Sequence, residues 1–308
     1  LQIGIVEGKD FSQKAIDSLK KIGTVTIFDK NDINIFIEDK DILFIRLNYN
    51  IDAKLLKNAK VLKFICSPTT GLNHIDLKTC NDNNIKIISL KNQKEFLQTI
   101  RATPEHTFGL ILSLLRNYKR AFLDSNNNTW DRDIYKGYEL YGKRIGIIGF
   151  GRVGSILAKY FNTFDAQTFF YDIKLEINTN FAQRVSSIKE LISKSDIVVL
   201  SASYSDEYNR FFDKKYVDLL KDKYFINTAR GELVDEEYLL TKIEESYFKG
   251  IAIDVFQNEA KKNNNIEKFL SLASKTNNLI ITSHIAGATY ESMWKTEEFI
   301  VDLLKEEL

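Results

Sequence analysis

Lys143-Arg144-Ile145-Gly146-Ile147-Ile148-Gly149-Phe150-Gly151-Arg152-Val153-Gly154 is an apolar strand that runs straight into a glycine-patterned turn. A helix follows, because Val153, Ile156, Leu157, Tyr160 and Phe161 recur at the i, i+3, i+4 spacing of one buried stripe. Gly149 suits the tight backbone, Gly151 lets the main chain come close to a ligand, and Gly154 lets the helix pack on its strand. A turn of this kind presents unpaired helix N–H groups to phosphate oxygens.

A second strand ends at Asp172, 21 positions after Gly151 (172 minus 151). That offset is where an acidic side chain meets the adenosine ribose hydroxyls of a bound dinucleotide. Its charge repels a 2′-phosphate, so the expected cofactor is NAD rather than NADP. Gly149, Phe150, Gly151, Arg152, Val153, Gly154 and Asp172 form the expected cofactor-binding set.

The 308 residues suffice for about two domains. With 43 basic against 42 acidic residues, the net charge is +1, and no basic stripe suggests a nucleic-acid partner. Cys66 and Cys80 show no zinc spacing and are expected as reduced packing residues; no metal is expected. The longest apolar run, 108–115, is too short for a bilayer, and the N-terminus lacks the shape of a signal peptide, so no membrane partner and a cytoplasmic setting are expected.

Short apolar strands alternate with helical patterns, which predicts an α/β chain with parallel sheets covered on both faces. One set of strands is expected at 3–6, 24–28, 42–45, 62–66 and 85–88. The other is expected at 144–148, 168–171, 197–200, 224–227, 251–255 and 279–282. Between the sets, Thr103-Pro104-Glu105-His106 predicts a helix with Thr103 as cap and Pro104 in the first position, running to about Tyr118. The polar stretches 125–128 and 261–265 are expected as loops. Met293, Phe299, Ile300 and Leu303 predict a terminal helix returning to the first domain. The expected architecture is two doubly wound parallel-sheet domains, flavodoxin-like and Rossmann, with a cleft between them. The substrate-binding domain spans 1–101 and is completed by 286–308; the NAD-binding domain spans 102–285.

Ile226-Asn227-Thr228-Ala229-Arg230-Gly231-Glu232-Leu233-Val234-Asp235-Glu236, then Ala252-Ile253-Asp254-Val255-Phe256-Gln257-Asn258-Glu259, then Ser283-His284-Ile285-Ala286-Gly287-Ala288-Thr289 follow in order. With Thr70-Gly71-Leu72-Asn73-His74-Ile75-Asp76, they make the chain resemble the D-isomer-specific 2-hydroxyacid dehydrogenase family over essentially its whole length. The resemblance implies NAD-dependent hydride transfer between a D-2-hydroxy acid and its 2-keto acid, a small-molecule carboxylate as substrate.

That chemistry builds negative charge on a carbonyl oxygen, so it requires a proton donor and a cation. His284 matches the family's acid/base, Glu259 the carboxylate that holds its tautomer, and Arg230 the guanidinium that grips the substrate carboxylate. Thr70 and Gly71 match a backbone N–H turn that holds the same carboxylate. Thr228, Ala229 and Asp254 match cofactor-lining positions, and His74 and His106 are expected to be structural.

Arg46 and Arg132 match positions that approach the distal anion in phosphoglycerate dehydrogenases, which suggests a phosphorylated or polyhydroxylated acid. The chain is expected to be a short form without the serine-sensing regulatory domain of longer relatives. Segment 122–141 lies outside either sheet and embraces the partner subunit in relatives, so a homodimer is expected.

Three departures from the family pattern stand out. Ser201-Ala202-Ser203 replaces His-x-Pro, Ala260 and Ser283 replace prolines beside the catalytic pair, and Asn73-His74 replaces Asp-Asn. A different class remains open from the sequence: an NAD(H)-sensing, corepressor-like binding protein that keeps the site but turns over little.

Overall fold

A computed structural model describes residues 1–125, 130–259 and 265–308. The loop expectations at 126–128 and 261–264, and the Ala260 departure, lie outside the described residues. The chain divides into two compact units, Leu1–Ile100 with Ala288–Leu308, and Arg101–Gly287.

The first unit is built on β1 (Gln2–Ile5), β2 (Thr24–Ile27), β3 (Ile42–Phe44), β4 (Phe64–Ser67) and β5 (Lys86–Ser89), all parallel in the order β2-β1-β3-β4-β5. The strand period of two is visible in β3: Ile42 and Phe44 enter one apolar layer, Leu43 the other. The helix Tyr290–Glu307 closes the first layer with Ile300, Val301 and Leu304, while Phe299 stacks on Phe96 at 3.8 Å. Its N-cap is Thr289, whose hydroxyl accepts the Ser292 N–H. Cys66 and Cys80 are free and buried; burial pushes both thiols up, Cys80 to about 11.

The second unit carries β6 (Arg144–Ile148), β7 (Gln167–Tyr171), β8 (Gln183–Arg184), β9 (Ile197–Leu200), β10 (Tyr224–Asn227), β11 (Gly250–Ile253) and β12 (Leu279–Ile281). They are parallel, in the order β12-β11-β10-β9-β6-β7-β8. Six strands were expected here, and the seventh, β8, is a two-residue edge too short to show periodicity. The strand order reverses between β6 and β9, so a crevice opens beyond their carboxyl ends, where doubly wound sheets bind ligands. Gly146 keeps β6 in close contact with its covering helix, since a Cβ there would lie 2.3 Å from Leu191 Cδ2.

Two helical expectations are corrected. The helix Ala102–Leu115 starts one residue before Thr103, with Arg101 at the N-cap, so Thr103 and Pro104 both lie inside the first turn. Pro104 still costs no hydrogen bond there, because first-turn N–H groups have no helical partner. This helix stops short of Tyr118, because Asn117 takes φ +53° and a second helix, Tyr118–Ser125, begins after it.

Candidate active site

The glycine turn follows from β6 and its neighbours. Gly149 has φ +87°, and a Cβ on it would lie 2.5 Å from Ala202 Cα. Only glycine accepts both conditions. Ser201 donates its N–H to Ile148 O at 2.8 Å, so the divergent 201–203 segment seats its backbone directly on the turn. Gly151 caps the helix Arg152–Thr163 with no side chain on the freed N–H groups, and a Cβ there would meet nothing within 4 Å. Gly154 packs on Gly149 O, which a Cβ would approach to 2.5 Å. Asp172, at the end of β7, accepts the Phe150 N–H at 2.6 Å and the Lys174 N–H at 2.8 Å, which places a carboxylate at the mouth of the turn. Helix-start amides without a side-chain cap, an open Gly151 and a flanking carboxylate together fit the pyrophosphate and ribose of a dinucleotide. Arg152 and Val153 are half-buried at the helix start. Burial, then nearby Arg101, lowers the Arg152 pKa.

His284 Nδ1 lies 2.6 Å from Glu259 Oε2, the two side chains being 27% and 31% exposed. An ionised carboxylate only accepts, so Nδ1 carries the shared proton and Nε2 is left for other chemistry. Glu259 Oε1 accepts the Phe256 N–H at 2.7 Å. Arg230 follows β10, and its turn is pinned by Asn227: Nδ2 donates to Arg230 O at 3.1 Å, and Oδ1 accepts the Ala229 N–H at 3.0 Å. Burial lowers the Arg230 pKa, while Glu232 and Glu259 oppose that shift. A guanidinium nonetheless stays cationic at neutral pH. The structure thus brings Arg230, Glu259 and His284 into one electrostatic cluster. Thr228 turns away from it: Thr107 gives its proton to Thr103 O, so Thr228 is the donor in the 2.7 Å bond between the two hydroxyls. Thr228 and Ala229 are both buried.

Asp254 lies beneath the His284 loop. Its side chain is fully buried, and its oxygens accept Thr282 Oγ1 at 2.5 Å and the N–H groups of Ile285 and Ala286 at 2.9 and 3.0 Å. Both oxygens thereby hold the His284 loop. The loop needs holding, because His284 takes φ +53°, a left-handed conformation that costs a non-glycine residue on the order of 1–3 kcal/mol. Burial raises the Asp254 pKa, but His106, Thr282 and the two N–H groups outweigh it, so the carboxyl stays below its usual range. His106 sits 3.4 Å from Asp254 Oδ1 and 3.2 Å from Thr282 Oγ1, beside the carboxylate that holds the His284 loop.

In the first unit, Thr70 and Gly71 lie in the loop after β4, which Thr69 braces by donating to Gly71 O at 2.8 Å. His74 is buried. Arg46 has an internal partner. Its guanidinium pairs with the fully buried Glu297 and donates to Lys9 O at 3.1 Å, so it serves as counterion to an internal carboxylate. Glu297 also accepts the Ser12 N–H at 2.7 Å, and burial raises its pKa against both partners. Leaving Glu297 unpaired would be costly, and this fixes where Arg46 points. Arg132 is exposed at the start of a short turn.

Sequence reasoning missed Asn227 and the holding role of Asp254. Asn227 had a signal, a polar residue ending an otherwise apolar strand; for Asp254 nothing in the sequence marks which backbone groups its carboxylate will meet.

Among the described residues, no helix is long and apolar enough to cross a membrane, and no cluster of His, Cys, Asp or Glu could hold a metal ion. The family described as D-isomer specific 2-hydroxyacid dehydrogenase, NAD binding domain, matches residues 108–286. The chain is 31% identical over 285 residues to a glyoxylate reductase of Thermofilum pendens, covering 88% of this chain and 80% of the relative. It is 27% identical over 303 residues to a D-3-phosphoglycerate dehydrogenase of Methanocaldococcus jannaschii, covering 96% of this chain but 56% of that relative. The crystal structure of a D-lactate dehydrogenase from Aquifex aeolicus, complexed with NAD and lactic acid, superposes with a TM-score of 0.83 at 26% identity, covering 100% of this chain and 95% of the other. The chain belongs to the D-isomer specific 2-hydroxyacid dehydrogenase family, oxidoreductases of 2-hydroxy and 2-keto acids that use a nicotinamide dinucleotide.

Proposed function

We propose that this chain is an NAD-dependent D-2-hydroxyacid dehydrogenase in which His284 is the acid/base, Glu259 its orienting carboxylate and Arg230 the substrate cation. The 2.6 Å bond between His284 and Glu259, in a cluster with Arg230, carries the reading. A bound nicotinamide supplies or accepts the hydride. Because Nδ1–H is spent on Glu259, His284 Nε2 is the atom that delivers a proton to the carbonyl oxygen in reduction and takes it back in oxidation. Arg230 grips the carboxylate with a planar fork and stabilises the developing alkoxide. The Thr70–Gly71 loop is a second candidate holder of a carboxylate through its N–H groups.

Asp172 favours NAD over NADP by charge. With Arg46 tied to Glu297, a phosphorylated substrate retains only Arg132 in its support, so the proposed substrate is a short or polyhydroxylated acid without a phosphate. Phe122 is 65%, Trp130 100% and Tyr141 68% exposed, large aromatic side chains in the segment a second copy of the chain would cover; a homodimer is part of the proposal. Two buried, unpaired cysteines fit a reducing, cytoplasmic setting.

Following NADH absorbance with short 2-keto acids, with and without a phosphate, tests the reading. Turnover that His284→Ala abolishes supports it. Binding of NADH with no turnover of any acid overturns it in favour of a sensor, and light scattering that shows only monomer at micromolar concentration overturns the dimer.

A further inference from the structure

Behind the acid/base pair lies a carboxyl group that the proposed chemistry leaves unused. Glu236 begins the helix Glu236–Glu244, is 4% exposed, and accepts the Gln257 N–H at 2.6 Å on Oε1. The segment it holds carries the pair: the next N–H back along the chain, Phe256, is the one that Glu259 accepts before Glu259 reaches His284. The same backbone is pressed from beneath, since a Cβ on Gly231 would lie 2.0 Å from Phe256 C and 2.3 Å from Gln257 N. Gln257 adds a bond from Nε2 to Val234 O at 2.6 Å.

We propose that Glu236 is a positioning residue for Glu259 and His284, anchoring the Phe256–Gln257 backbone from which Glu259 reaches the imidazole. The inference rests on the acid/base reading of His284 above. Among the described residues, the groups around Glu236 are Glu232 and Glu259, the Asn265 side chain, Lys268, whose ammonium lies 3.2 Å from Asn265 Oδ1, and Arg210, which donates to Gln257 Oε1 at 3.3 Å. Burial pushes the Glu236 carboxyl up to about 7, opposed by the Gln257 N–H and Asn265 and reinforced by the two glutamates. Its charge therefore switches on within the pH range in which the enzyme would work.

Glu236→Gln keeps an acceptor for the Gln257 N–H and removes the charge; Glu236→Ala removes both. The chain has three histidines, so the His284 ring resonances can be followed by NMR without any substrate. The expected result for Glu236→Ala, at unchanged fold by circular dichroism, is loss of the downfield His284 Nδ1–H resonance that the bond to Glu259 gives, whereas Glu236→Gln, which keeps the acceptor, retains it. Keto-acid reduction should lose kcat in Glu236→Ala with KM little changed, and recover in Glu236→Gln. A Glu236→Ala variant whose His284 Nδ1–H resonance matches the wild type overturns the proposal. Absence of keto-acid turnover in the wild-type protein instead overturns the acid/base reading, so the two failures are separate.

Discussion

Glu259→Gln puts the proposed chemistry under direct strain. Glu259 uses both oxygens as acceptors, Oε1 for the Phe256 N–H at 2.7 Å and Oε2 for His284 Nδ1 at 2.6 Å. A glutamine offers one carbonyl oxygen, so its amide NH2 must face one of two N–H donors. If it turns the NH2 toward Phe256, the imidazole keeps a neutral acceptor but loses the charge that stabilises its protonated form. If it turns the other way, the orientation of the ring is lost as well. A charge-assisted hydrogen bond contributes about 1.5–3 kcal/mol, and exposure near 30% on each side chain argues for the lower half of that range. Each 1.36 kcal/mol is tenfold in rate, so kcat/KM for keto-acid reduction should fall roughly 10- to 50-fold. The assay is initial-rate NADH oxidation from pH 5 to 9, with NADH binding followed separately by fluorescence. A variant that binds NADH normally and stays within twofold of wild type across that range would refute the role given to Glu259.

Three further outcomes are expected. Arg46→Ala leaves Glu297 buried without its cation and should cost about 3–5 kcal/mol in urea unfolding, whereas Arg46→Met with Glu297→Met should recover much of that loss; a single-variant loss under about 1 kcal/mol would show the pair to be incidental. Gly149→Ala forces a Cβ to 2.5 Å from Ala202 Cα at φ +87°, so NADH affinity measured by titration calorimetry should collapse; unchanged affinity would detach the turn from the cofactor. Glu236 has a folded pKa of about 7 against 4.5 when free, so its stabilising contribution is complete below pH 4.5 and lost as pH rises through 7. Relative to Glu236→Gln, the wild type should therefore lose about 3 kcal/mol of unfolding free energy between pH 4.5 and 8, and parallel curves would count against the buried charge.

Much of this molecule is legible one residue at a time. Apolar runs of strand length, the 3.6-residue stripe after Gly154 and the three glycines determine an α/β chain and its dinucleotide turn, because these patterns reflect local backbone geometry that any tertiary context must respect. Arg230, Glu259 and His284 could be picked out by their motifs, and the structure brings them together. Direction of approach was another matter. That Arg46 meets Glu297, that Asp254 grips the His284 loop and that Glu236 meets the Gln257 N–H depend on segments distant in the chain. Only packing decided these, because a charged side chain is steered by whichever buried donor or counterion would otherwise go unsatisfied, and that partner does not exist until the chain has folded.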